Sequence, residues 1–307
     1  MKLILTILSF ILLAISCNSK KSILKDKPDA GTIHISVDES YRPVIEEQIK
    51  MYELSYPNAH IIAEYKSEAD CLKDFFRDST NRLIIIGRGL NRKEEHYMID
   101  SLGYNPGCNA VASDAVSIIL NKSNSDSMFT IETLKNQLQG KVRTKNTFLF
   151  DGLNATSTVR FIKDSILKGQ NYDTTVVKAA KNSKDVIEYV SNHENAIGLV
   201  GYSWIGNPED SIQKKALQNI KLGYVKCEVC EGNPYVKPMQ ENMLTMRYPL
   251  VRKLHYIIKE NYTGLGNGFV SFLKFERGQL IFRRAYLGPV MNLGVRNVQI
   301  NESLPKN

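Results

Sequence analysis

Between Thr32 and Leu102 the sequence changes its hydrophobic period five times, and that alternation restricts the fold more than any other feature. Thr32–Val37 alternates as a strand, and Asp38-Glu39-Ser40 turns the chain. Ser40 stands as an N-cap for a helix with Pro43 in its first turn, running through Val44, Ile45 and Ile49 to about Leu54. Tyr56-Pro57-Asn58 punctuates, and Ala59–Tyr65 predicts a second strand. Glu68–Asp78 reads as a helix, Leu83–Ile86 as a buried strand ending in Gly87-Arg88-Gly89, and Lys93–Leu102 as a further helix. Strand, helix, strand, helix, strand, helix is the pattern of a parallel sheet with crossover helices.

Ala112–Leu120 is a long apolar strand that leaves this first lobe. After the polar turn Asn121–Ser127, a helix over Thr130–Leu138 opens on Thr130. Strands at Thr147–Phe150, Val176-Val177 and Ala196–Gly201 then alternate with helices, one of them Ser183–Asn192. Ile220–Lys226 reads as a strand leading back. Lys253–Ile258 is a strand, Gly264–Lys274 a helix, Glu276 begins another, and Val290–Val295 closes the pattern. The expected architecture is α/β with two lobes, residues 31–114 plus 233–300 and residues 115–232, the chain crossing twice and 301–307 left as a tail. Two such lobes place a cleft at the carboxyl ends of two sheets, where open sheets bind ligands and where hinge closure traps them.

The stretch Phe150-Asp151-Gly152-Leu153-Asn154-Ala155-Thr156-Ser157-Thr158 joins a strand to a helix whose apolar positions are Val159, Ile162, Ile166 and Leu167, with Gly169 as its stop. Unpaired N–H groups at that helix start, with the Thr and Ser hydroxyls, can converge on an anion. The plain alternative is an ordinary N-cap. Asp151 reads as a turn or capping residue.

At 307 residues the chain is long enough for two cores. Lys2 followed by the apolar run Leu3–Ile15 is too short to span a bilayer, and with Ala14-Ile15-Ser16-Cys17 residues 1–17 resemble a lipoprotein signal lipidated on Cys17. Ala14 stands where Leu is usual, so a plain secretory signal or a membrane anchor is the alternative. Residues 18–30 form a polar, Lys-rich tether suited to a lipid-anchored domain of the cell envelope on the periplasmic side. The net charge of +8 is spread along the chain, and with export it argues for anionic ligands or anionic membrane rather than nucleic acid. Cys227-Glu228-Val229-Cys230 has redox spacing but no preceding strand and following helix, so it reads as a local disulfide or two loop thiols.

Several patterns in order resemble the phosphate-binding proteins of phosphate ABC transporters, from about Gly31 to Val295. Ser40-Tyr41-Arg42-Pro43 is similar to the first ligand loop, and Ala115–Asn121 to the crossover strand. Phe129–Leu134 with Gln139-Gly140-Lys141, Ala196–Tyr202 and Tyr248-Pro249-Leu250 also match. Asn154-Ala155-Thr156-Ser157 sits where that family carries Ser-Gly-Thr-Thr at a helix start. The resemblance implies a two-lobed periplasmic-binding-protein fold of the second type and capture of a small oxyanion, phosphate foremost, for an ABC permease, without cofactor or catalysis.

The ligand motif departs from the family in two places. The family's Arg four places before the Ser is Phe150 here, and the Ser-Asp pair after the third strand, whose Asp accepts a proton from phosphate, is Gly87-Arg88. Losing that Asp removes the reason to demand a protonated oxyanion, while Arg88 could restore the charge by forking onto a tetrahedral anion. Asp38 and Glu39 would repel an anion unless they point away or pair with Arg88 or Arg42. The expected ligand residues are Ser40, Tyr41, Arg88, Asn154, Ala155, Thr156 and Ser157, with Ser40 either ligand or cap, and Trp204 assigned to packing. The five His residues are scattered, no metal spacing occurs, and no nucleophile motif is present. Two alternatives follow: a sensor or scaffold of the same fold with a different ligand or none, and a thiol redox protein using Cys227 and Cys230.

Overall fold

The computed structural model describes residues 26–152 and 156–291. Asn154, Ala155, Cys17 and positions 292–295 of the expected closing strand lie outside them, as do residues 1–25.

The first half follows the predicted alternation. Strand β1 (Ala30–Asp38), helix α1 (Arg42–Ser55), β2 (Asn58–Lys66), α2 (Glu68–Arg77), β3 (Asn81–Ile86) and α3 (Arg92–Leu102) succeed one another. β1 lies between β2 and β3 and is parallel to both. It alternates inside and out at its start, then buries Ser36, Val37 and Asp38 in succession, so its carboxyl end runs into the interior. Caps written in the sequence set the helix starts. The Ser67 hydroxyl accepts from the Asp70 N–H, and Asn91 forms a capping box with Glu94. One cap differs from expectation. Ser40 does not cap α1: it lies in a 3-10 turn, Glu39–Tyr41, whose cap is Asp38, the carboxylate accepting from the Ser40 N–H. The Ser40 hydroxyl is thereby released from capping.

β4 (Gly107–Asn121) is the spine of the molecule. Its first part pairs antiparallel with β12 (Val251–Ile258), and from Val116 onward it pairs antiparallel with β8 (Ala196–Gly201) and β9 (Ile220–Leu222). The second half holds β5 (Met128–Phe129), α4 (Ile131–Leu138), β6 (Thr147–Phe150), α5 (Ser157–Ser165), β7 (Val177–Ala179), α6 (Ser183–Asn192), β8, α7 (Ser211–Ala216), β9, β10 (Tyr224–Lys226) and β11 (Tyr235–Val236). The main sheet runs β2-β1-β3-β12-β4-β8-β6-β7. After β11 the chain returns through α8 (Gln240–Leu244) to β12, then α9 (Leu265–Lys274), α10 (Glu276–Arg284) and β13 (Gly288–Pro289) against β4.

The stretch Ile220–Lys226 is not the single strand leading back that its composition suggests. It breaks at Gly223, whose N–H bonds the Ile118 carbonyl at 2.8 Å. β9 stays on β4 while β10 pairs parallel with β5 and antiparallel with β11. The departure from the second half therefore comes after Val236. Cys227 and Cys230 form a disulfide in the turn between β10 and β11.

One apolar core runs under both halves, from Ile33, Ile35 and Val37 through Val116 and Ile118 to Phe148, Leu199 and Val200. A smaller one, with Leu72, Phe75, Ile84 and Met98, lies beneath α2 and α3. The carboxyl ends of β1 and β3 thus face those of β6 and β8.

Candidate functional site

Three strand ends and a helix start supply the residues that meet where the halves join. After β1 come Asp38, Glu39, Ser40 and Tyr41; after β3 comes Gly87; after β6 comes Asp151, just before α5 with Thr156, Ser157 and Thr158. Ser183 opens α6 beside them. Asp38, Ser40, Tyr41, Asp151, Ser157, Thr158 and Ser183 are all buried.

Hydroxyls knit this junction. Ser157 Oγ donates to Ser40 Oγ at 3.3 Å, and Ser40 Oγ lies 3.3 Å from Thr158 Oγ1. The Asp151 carboxylate accepts from Ser40 Oγ at 3.1 Å, from Thr156 Oγ1 at 2.8 Å and from Thr158 Oγ1 at 2.9 Å. Thr156 also caps α5, its Oγ1 accepting from the Val159 N–H. Gly87 is needed for the close approach: a Cβ there would lie 2.8 Å from the Tyr41 hydroxyl and 3.0 Å from the Ser157 Cβ.

The cation at the centre is Arg252. Strand register sets it opposite Asp114, and its Nε and Nη2 donate to Asp114 Oδ2 at 3.1 and 2.9 Å. Its Nη1 donates to Ser157 Oγ at 2.8 Å, and its guanidinium lies 4.8 Å from the Tyr41 ring centre. Arg252 is 4% exposed and Asp114 wholly buried, so neither charge is compensated by water. Burial raises the Asp114 carboxyl against the opposing pull of Arg252, and carboxylates around Arg252 hold its guanidinium firmly protonated against its own burial.

Carboxylates also crowd the site. Burial, helped by the Glu68 charge and opposed by Arg252, pushes Asp38 up to about 7. Its Oδ2 is buried without a hydrogen-bonding partner. Glu39 rises to about 7 through burial, resisted by hydrogen bonds from Ser183 and reinforced by the Asp151 charge. It accepts from Ser183 Oγ at 2.8 Å at the positive end of α6. Burial lifts the Tyr41 phenol as well. Glu68 bridges the halves, accepting from the Gly87 N–H at 3.0 Å and from Arg160 of α5.

The structure brings Ser40, Tyr41, Thr156 and Ser157 together as expected from the sequence. It does not bring Arg88 onto their hydroxyls. The Arg88 guanidinium forks onto Glu94 of α3 at 2.6 and 2.7 Å and bonds the Gly89 carbonyl, so the capping residue of a neighbouring helix has taken its charge. Arg42 pairs with Glu46 instead of with Asp38 or Glu39. Asp151 is no simple turn residue, being the acceptor for four hydroxyls. Trp204 packs against the core and donates to the Glu39 carbonyl. Sequence reasoning missed Arg252 and Asp114, although both carry a signal. Arg252 is in phase with the buried Leu254, Tyr256 and Ile258, and Asp114 is the one charged residue of strand β4. Among the described residues no group of three or more His, Cys, Asp or Glu is placed to hold a metal ion.

Comparison with known proteins agrees with this architecture. Residues 25–275 match the family described as the PBP superfamily domain. The chain belongs to that family. No curated protein matches this PBP-family chain. Among solved structures it is similar to a putative phosphate ABC transporter substrate-binding protein with bound phosphate from Clostridium perfringens. The TM-score is 0.69 at 19% identity, covering 85% of this chain and 100% of that one. An ABC-type phosphate transport receptor from Vibrio cholerae gives a TM-score of 0.61 at 15% identity, covering 84% and 100%. A possible phosphate binding protein from Planctomyces limnophilus gives 0.56 at 16%, covering 85% and 94%. At these identities the likeness is one of fold, the periplasmic-binding-protein fold. No described helix of this chain is long and apolar enough to cross a membrane.

Proposed function

We propose that this chain is an extracytoplasmic solute-binding lipoprotein that captures a small oxyanion, phosphate foremost, and presents it to an ABC permease. The lobes are residues 31–114 with the return segment after Val236, and 115–236. Cys17 is the lipidated residue, and the tether holds the domain off the membrane. The role is binding without chemistry.

The observation that carries this reading is the convergence of the Ser40, Ser157 and Thr158 hydroxyls with the Arg252 guanidinium beside the unpartnered Asp38 Oδ2. Hydroxyls and a guanidinium replace the water of an anion. The Arg88 role expected from the sequence passes to Arg252. Asn154 and Ala155, which lie outside the described residues, remain proposed ligand residues. Tyr41 stacks on Arg252 and shapes the floor.

The carboxylates decide which anion. Asp38 supplies what the loss of the family Asp removed, an acceptor for a proton on the ligand. At a pH above the Asp38 titration near 7, its carboxylate would face the fully ionised sulfate and molybdate as a like charge, whereas phosphate and arsenate bring a proton to share. Isothermal titration of phosphate into wild type and Ser157→Ala tests the reading. Losing one hydroxyl donor to a charged ligand is worth about 1.5–3 kcal/mol, an affinity loss of roughly tenfold or more. Equal affinities would remove Ser157, and with it the junction, from the binding role. A sensor or scaffold is the second reading, favoured by one feature: the site hydroxyls already find partners inside the protein.

A further inference from the structure

The Asp151 carboxylate is 3% exposed, and hydroxyls surround it. Ser40, Thr156 and Thr158 donate to it, and Ser183 Oγ lies 3.3 Å from its Oδ2, shared with Glu39. These groups come from three separate places: the 3-10 turn after β1, the start of α5 and the start of α6. Two helix N-termini and a turn therefore aim donors at one carboxylate, and Arg252 lies close enough for the Asp151 charge to stabilise its protonated form. A tetrahedral oxyanion asks for the same surroundings: several hydroxyl donors, helix N-termini and a nearby guanidinium.

We propose that Asp151 is an internal ligand of the cleft, a carboxylate held where a solute oxyanion would be held, and that a solute must displace it. This deepens the oxyanion reading and rests on it for the identity of the competing solute. Because Ser40 belongs to the first half and Asp151 to the second, the same carboxylate ties the halves together without solute. A hydroxyl has one hydrogen to give, so Ser40 and Thr158 cannot serve Asp151 and a bound anion with the same proton. Asp151 thus weakens solute binding, which is the opposite of what a ligand residue does. Asp38 remains the acceptor for the solute's proton.

Two substitutions test this. Asp151→Ala leaves a gap of carboxylate size among the donors, and sodium formate is the probe. Formate raises the melting temperature of Asp151→Ala but not of wild type or Asp151→Asn, at matched ionic strength. Asp151→Asn keeps the shape and removes the charge, and it binds inorganic phosphate about tenfold tighter or more than wild type. Absence of formate rescue in a folded Asp151→Ala overturns the proposal, as does phosphate affinity in Asp151→Asn weaker than in wild type. If Asp151→Ala does not fold, the Asp151→Asn affinity alone decides, and an unchanged value also overturns it. Formate rescue with no phosphate binding in any of the three proteins keeps the internal ligand and discards the oxyanion reading. Phosphate binding to wild type without formate rescue does the reverse.

Discussion

A guanidinium buried as deeply as Arg252 stays comfortable only where carboxylates meet it, and Asp114 does so across the β12–β4 pair. Removing one partner of such a pair leaves the other as an uncompensated buried charge, at a cost of about 3–5 kcal/mol. Arg252→Met is predicted to lose that much in urea denaturation without ligand, and Arg252→Met with Asp114→Leu to recover part of it. A loss below about 1 kcal/mol in the single variant would mean the pair is not held as described. Asp38 and Glu39 make a second residue-scale prediction. Both carboxyls titrate near 7 in the fold and near about 4 in the unfolded chain. The folded state therefore holds extra protons between those values, and stability falls as pH rises through that window, by at most about 1.4 kcal/mol per pH unit for each group. Melting temperatures should climb as pH is lowered from 7.5 to 5, and Glu39→Gln should flatten the climb. At this scale the sequence was only partly legible. Ser40, Thr156 and Ser157 were singled out because hydroxyls at strand-to-helix turns either cap the helix or face a ligand, and Thr156 does cap α5. Arg88 misled because its competitor Glu94 is itself a capping residue whose orientation only the fold decides.

Among the elements, β8 shows how tightly the second half is assembled. Gly198 lies where β8 passes between β4 and α6, and a Cβ there would stand 2.6 Å from Val186 Cγ1 and 2.7 Å from Ile119 Cγ1. Gly198→Ala overpacks that layer and is predicted to destabilise by about 1–3 kcal/mol, measurable by thermal or chemical denaturation. No loss would mean the layer has slack. The strands and helices of the first half were legible from period and from Pro43 in the first turn of α1, whereas the caps Ser67 and Asn91 emerged only in the structure. The break at Gly223 was not. Ile220–Lys226 has one continuous apolar period, and what divides it is the choice of partners, β4 for one part and β5 with β11 for the other. Pairing across long sequence separations leaves no local mark.

For the whole molecule, a shared strand and two facing sets of strand ends make a two-lobed binding fold, and this much followed from the order of elements. The ligand chemistry did not, because it depends on which buried charges end up side by side. Arg252 is separated from Ser157 by 95 residues and still bonds it. The central claim is that the junction takes a proton-bearing oxyanion. The most direct measurement is a thermal-shift titration of residues 22–307 with phosphate, arsenate, sulfate and molybdate at matched ionic strength and at a pH well above 7, where Asp38 is ionised. A ligand that binds only the folded state raises the melting temperature with its concentration relative to its dissociation constant. The account predicts shifts with phosphate and arsenate and none with sulfate or molybdate. Shifts of equal size with sulfate, or no shift with any of the four, would contradict it.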